Sequence, residues 1–295
     1  MKSETKTSGS KNHKILDHPI LGYFLLAIIG LFVSNIIGAI IDTPIGFAIP
    51  EYMSTITVDG VEYQTASGVG IAIASIGVAL IYIFRFRPKY RGFFTYAGVT
   101  EGLFIVFPIV VLHVTGSIVS ICTVGLGDTF IALLRCLAPG FSEEIIFRGM
   151  GISNYMRTIK NEKQIPVIFW LSSIVFGFSH MSNSIVGADL KISLLQSLYA
   201  VGVGMLFAAV YLKCGSLWPT IIAHSIIDYF EFCRFDISAS SGVMSSALTV
   251  GDWITIIVGL LAGIFALYQI RKSERPAIMK EWSNRWNGIV TKNEV

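Results

Sequence analysis

The chain has 295 residues, of which 53% are hydrophobic and only 14% charged, with a mean hydropathy of +0.68. A soluble domain carries about a quarter of its residues charged, so this composition sets an ordinary soluble fold aside. The net charge of +3 is too small to argue for nucleic acid, and no basic, aromatic cluster supports it.

In chain order, residues 1–17 are polar and Lys-rich, which predicts a disordered cytoplasmic tail. Eight apolar segments follow, each near the roughly 20 residues that a membrane-spanning helix needs. They are Pro19–Ile41, Gly68–Phe84, Leu103–Ile121, Thr129–Tyr155, Pro166–His180, Leu190–Leu212, Leu217–Phe232 and Ile254–Ile270. The first is too long for the roughly 7–15-residue core of a signal peptide and has no small-residue cleavage site after it. The predicted fold is an all-α, polytopic membrane bundle of about eight helices. It divides into the tail, a membrane domain over 18–272 with a motif core at 130–232, and a cytoplasmic amphipathic tail at 273–295.

Charge sets the orientation. With the N-terminus inside, all basic residues but Arg135, Arg148, Lys191 and Arg234 fall in cytoplasmic segments, and the loop 42–67 holds acids but no Lys or Arg. Both termini are therefore expected in the cytoplasm, in a multi-pass protein of the cell membrane. Arg85–Arg91 with the following Gly-Phe-Phe-Thr-Tyr reads as a basic, aromatic stretch at the inner interface. Ile278, Trp282 and Trp286, spaced four apart among basic residues, predict a short helix lying on the inner leaflet. Gly259 and Gly263 match the close-packing pattern of membrane helices. The cysteines Cys122, Cys136, Cys214 and Cys233 form neither a C-x-x-C pair nor a zinc-ribbon spacing.

Strongly polar residues inside the spans are expensive, at about 2.5 kcal/mol or more per ionised group near mid-bilayer. Here they are few: Arg135, Glu143, Glu144 and Arg148 on the fourth segment, His180 ending the fifth, and His224, Asp228 and Glu231 on the seventh. His113 stands alone on the third and reads as a packed, hydrogen-bonded core histidine. Glu144 and Arg148 are four apart and can pair on one helix face. Glu143 is rotated about 100° from Glu144 and is free to face elsewhere. Pro139 removes a backbone donor and crowds the carbonyl of Arg135, so a kink or break is expected there, opening a hydrated cavity beside the acids. His224 and Asp228 share a face. At about 1.5 Å per residue, Glu143, His180 and His224 come within one or two turns of one level. Three helices thus contribute to one site in the bundle core.

Competing signatures fail. There is no H-E-x-x-H helix and no G-x-S-x-G elbow. Gly125-Leu-Gly-Asp128 is similar to an intramembrane aspartyl-protease motif, but Asp128 falls in an outer turn without an aspartate partner.

Glu143-Glu144-Ile-Ile-Phe-Arg148, Phe176-Gly-Phe-Ser-His180 and His224-Ser-Ile-Ile-Asp228, in this order on separate spans, resemble the CPBP family of intramembrane proteases. That family is related to the type II CAAX prenyl endopeptidases and Ras-converting enzymes. Ala138-Pro139 before the acids, Phe147-Arg148-Gly149 after them and Leu217-Trp-Pro219 are also similar. The resemblance covers about a third of the chain, from Phe130 to Asp228.

The resemblance implies peptide-bond hydrolysis without a covalent intermediate. Glu143 would be the base that activates water, assisted by His180. His224 and Asp228 would position that water or stabilise the oxyanion, with Glu144 and Arg148 in support. Two chemistries stay open, a metal-free glutamate protease and a metalloprotease in which Glu143, His180, His224 and Asp228 bind Zn²⁺. Asp228, where some members have Asn, favours a metal ligand or a charged histidine partner. The implied partners are membrane lipid and a peptide or protein substrate, either lipidated or leader- or bacteriocin-like. The alternative function is a transporter or bacteriocin self-immunity protein whose polar core binds an ion or peptide.

Overall fold

In the computed structural model, the described residues are 15–58, 61–66, 68–87, 90, 92–123, 126–185, 189–234 and 250–287. The helices are α1 (Pro19–Ala48), α2 (Val69–Ile81), α3 (Val99–Thr123), α4 (Leu126–Glu143), α5 (Ser153–Thr158), α6 (Ile165–Ser179), α7 (Leu190–Cys214), α8 (Trp218–Arg234), α9 (Val250–Gln269) and α10 (Arg275–Asn287). A π-helical stretch, Glu144–Ile152, fuses α4 to α5 into one rod, and a shorter one, Tyr82–Phe86, extends α2. All eight expected spans are helical, in an all-α membrane bundle. By length and composition, Pro19–Ala48, Val69–Phe86, Glu162–Ser184 and Leu190–Cys214 can each cross a membrane.

Local chemistry sets the helix ends. Pro19 opens α1, where its missing N–H costs nothing, and His18 Nδ1 accepts from Leu21 N. Asp189 caps α7 by accepting from Ile192 N at 3.0 Å. At the other end of α7, Gly215 takes the left-handed conformation (φ 66°) that a side chain would strain.

The rod of α4, the π stretch and α5 is the bundle's axis. Ser142–Met156 is buried throughout except at Glu143. α1 packs on the rod with Tyr23 against Gly151 and with Gly30 beside Ile146. α7 and α9 meet where Gly202 faces Gly259 so closely that a Cβ on Gly202 would collide with the Gly259 carbonyl. Gly263 meets Met205, so the Gly259–Gly263 pattern lies in a helix contact.

At the basic end, Asn154 Oδ1 accepts from Arg87 Nε (3.1 Å) and Nη2 (2.9 Å), and Asp17 pairs with both Arg87 and Arg157. Asn154 Nδ2 donates to Leu16 O at 2.8 Å. Residues 1–14 of the expected tail lie outside the described residues, but Leu16 and Asp17 are held because they satisfy this buried network. The Arg85–Arg91 stretch also differs from expectation. Tyr90 and Phe93 turn into the core, where Tyr90 OH lies 2.7 Å from Tyr211 OH, while Lys89 and Arg91 fall outside the described residues.

α10 is a helix, as its spacing predicts, but its apolar face is spent on protein rather than lipid. Ile278 and Trp282 are buried in the bundle, Trp282 Nε1 donates to Leu212 O at 2.8 Å, and Trp286 Nε1 donates to Ser153 O at 3.1 Å. Residues 288–295 lie outside the described set.

The loop 42–67 carries an antiparallel hairpin, β1 (Met53–Val58) with β2 (Val61–Ala66), in whose register Ile56 pairs with Tyr63. Arg135 Nη2 binds the carbonyls of Glu51, Tyr52 and Met53 at 3.0–3.2 Å. That places Arg135 as a clamp between α4 and the loop.

Candidate active site

α4 runs through Pro139 and Gly140 without a break, and the departure from α geometry begins one turn later, at Glu144. The expected break at Pro139 is therefore absent. Gly140 serves a close approach, since a Cβ there would collide with Ser225 Oγ of α8. That contact brings α8 against the rod one residue from His224. A π segment widens the helix by one residue per turn and is common at functional sites. Here it starts on the second acid of the motif.

The two acids have opposite environments. Glu144 is fully buried, and its Oε1 accepts from Arg148 Nη1 and from His224 Nδ1, each at 2.9 Å. The pair expected from the four-residue spacing is therefore present, and it extends to a histidine on another helix. Glu143 keeps 23% of its side chain accessible. Its Oε2 makes no hydrogen bond and lies 3.9 Å from His224 Nε2. Asp228 Oδ2 lies 3.6 Å from the same nitrogen.

Hydrogen-bond chemistry assigns the donor at the Glu144 contact. A carboxylate only accepts, so the His224 nitrogen facing Glu144 carries its hydrogen and Nε2 faces Glu143 and Asp228. A neutral His224 would present Nε2 as a third acceptor beside two carboxylate oxygens. One proton shared within the trio, carried by His224 as imidazolium or by Asp228 as carboxylic acid, removes that conflict. Both separations exceed direct hydrogen-bond length.

His180 begins the 3₁₀ turn that follows α6, and its Nδ1 lies 3.0 Å from Phe176 O. A carbonyl only accepts, so Nδ1 donates and Nε2 is the free nitrogen. His180 joins the cluster through an aromatic ring, not a hydrogen bond. Phe176 meets His180 edge-on at 5.1 Å and His224 at 5.9 Å, centroid to centroid.

Glu143, Glu144, Arg148, His224 and Asp228 thus form one contiguous cluster, with His180 one ring away. Of the side chains offered as a Zn²⁺ set, Glu143 and Asp228 approach His224 Nε2, whereas His180 makes no hydrogen bond to them. Among the described residues, no group of three or more His, Cys, Asp or Glu is placed to hold a metal ion. The cause is visible in the histidines. Each has committed Nδ1, and both rings pack on Phe176.

The residue types alone left Phe176, Phe207 and Gly204 without roles. Arg148 lies over the Phe176 face at 3.9 Å, and Phe207 packs on His224 at 5.5 Å. Phe176 had a signal in its motif position, whereas Phe207 had none in an apolar run. His113 matches its expected structural role, with Nδ1 2.9 Å from Ile109 O and Nε2 2.6 Å from Tyr199 OH.

No curated protein and no solved structure matches the chain. Residues 125–230 match the family model described as Rce1-like, type II CAAX prenyl endopeptidase Rce1-like. All three motifs fall inside that segment, which is about a third of the chain and is what it shares with the Rce1-like type II CAAX prenyl endopeptidases.

Proposed function

We propose that this protein is an intramembrane endopeptidase in which Glu143 activates water to hydrolyse a peptide bond of a membrane-associated peptide or protein. The observation that carries the reading is the difference between the two adjacent acids. Glu144 is wholly buried with Oε1 held by Arg148 and His224, while Glu143 keeps 23% of its side chain accessible and turns an unbonded Oε2 toward His224 Nε2. A base must reach its proton donor, and only Glu143 is free to do so.

In this mechanism Glu143 takes a proton from water as the water oxygen bonds to the scissile carbonyl carbon. The carbonyl oxygen gains negative charge and is met by the Nε2–H of protonated His224, held in place by Glu144 and balanced by Asp228. A positioned donor of this kind contributes about 3–4 kcal/mol to such a step. The C–N bond then breaks, and Glu143 returns its proton to the leaving nitrogen, giving a carboxylic acid and an amine. His180 Nε2 orients the water. The chemistry is that of a metal-free glutamate protease, and no step passes through a metal.

The charge distribution supports a cell-membrane, multi-pass protein with both termini cytoplasmic. The substrate is a peptide or protein held at the membrane, lipidated or leader-like. Comparative peptidomics of cells carrying the wild-type protein or Glu143→Ala tests the reading and names the substrate. Peptides that appear only with the wild type are expected, and identical peptidomes would overturn it.

A further inference from the structure

The geometry points to Phe176 as a positioning residue that holds the catalytic charges through a cation–π contact with Arg148. The inference rests on the proteolytic reading above and adds to it a component made of no ionisable group. The Arg148 guanidinium carbon lies 3.9 Å from the Phe176 ring centroid, well within the distance at which a ring face attracts a cation. Arg148 is fully buried and bonds Glu144, so no water competes for that face.

The ring touches residues of all three motifs. Its face carries Arg148, and the rings of His180 and His224 meet it at 5.1 and 5.9 Å. Phe147, beside Arg148 in sequence, completes the surround with an edge contact at 5.4 Å. α7 is shaped for the ring: a Cβ on Gly204 would stand 2.8 Å from Phe176 Cδ1. Arg148 Nη2 also reaches the Gly204 carbonyl at 3.4 Å. The path from ring to reaction is short. Phe176 holds Arg148, Arg148 shares Glu144 Oε1 with His224 Nδ1, and that bond aims His224 Nε2 at Glu143 and Asp228.

Apolar packing and cation attraction make different predictions for the same ring. Replacing Phe176 by mono-, di- and trifluorinated phenylalanine drains the ring face of negative charge while nearly preserving its shape. Phe169, buried on the same helix with its ring against Trp170, is the control position. For the full-length protein in detergent, Tm and peptide cleavage are measured across both series. At position 176 both fall stepwise, with kcat down roughly tenfold over the series and KM unchanged, because the ring does not touch substrate. At position 169 both stay flat. Equal slopes at the two positions, or a flat series at 176, would overturn the proposal. If the unsubstituted protein shows no Glu143-dependent cleavage, the proteolytic reading fails and the thermal series decides the contact alone. A slope at 176 with none at 169 then upholds it, and equal slopes overturn it.

Discussion

Glu144 Oε1 stands 2.9 Å from His224 Nδ1, and this contact joins the first motif of the chain to the third. The same oxygen accepts from Arg148, so one buried anion serves a cation on its own helix and a histidine on α8. A buried charge stripped of its partner is costly, whereas a charge at an accessible edge is not.

The two neighbouring acids should therefore fail in different ways. Glu144→Gln strands the Arg148 guanidinium in the core and is expected to cost about 3–5 kcal/mol of stability. Glu143→Gln should leave Tm unchanged and lower cleavage about 10²–10⁴-fold, the usual worth of a general base. Thermal unfolding and a cleavage assay on both variants check this. Equal destabilisation by the two substitutions would refute the division of roles.

The approach of α8 to the rod gives a second test, at Gly140. A larger side chain there must push Ser225 away and pull His224 from Glu144. Gly140→Val is expected to lose about 1–3 kcal/mol through overpacking and to lose cleavage with it. Gly140→Ala combined with Ser225→Gly restores room, so the pair should recover activity that Gly140→Ala alone lacks. If the double variant is no better than the single, the close crossing is not what aligns His224.

The helices and the pairing of Glu144 with Arg148 were legible because apolar length and four-residue spacing are local properties. The pairing of Glu144 with His224 was not, since it spans 80 residues and depends on how closely α8 crosses the rod. Pro139 misled for a related reason. Its cost to an isolated helix is real, but a packed bundle tolerates it, and the helix widens instead at Glu144. The aromatic spacing of Ile278, Trp282 and Trp286 announced an apolar face without saying whether lipid or protein covers it.

That face supplies a third prediction. Trp282 is 1% exposed, stacks near Tyr90 and donates to the Leu212 carbonyl. Trp282→Ala is expected to cost about 3–5 kcal/mol, as truncation of a buried aromatic does. Lys280→Gln, at an exposed position of the same helix, should have almost no effect. Unfolding in anionic and in neutral lipid nanodiscs separates the two possible coverings. A loss in Trp282→Ala that is the same in both lipids is expected, and a loss confined to anionic lipid would return α10 to the membrane surface.

The last prediction concerns metal. A catalytic zinc site takes three protein ligands and leaves one position open, so three side chains must aim free donor atoms at one point. His224 has spent Nδ1 on Glu144, and His180 has spent Nδ1 on the Phe176 carbonyl. Their Nε2 atoms remain, with both imidazoles packed on the Phe176 ring, and no three-ligand group forms among the described residues. Glu143 and Asp228 both approach His224 Nε2, which suits a shared proton as well as it would suit a cation. Cleavage is therefore expected to persist after treatment with 1,10-phenanthroline or prolonged dialysis against EDTA, with zinc well below one equivalent by elemental analysis. Activity lost on chelation and regained stoichiometrically with Zn²⁺ would mean that the His180 turn rearranges to bring its ring beside His224, and the base mechanism would then give way to a metal-bound one.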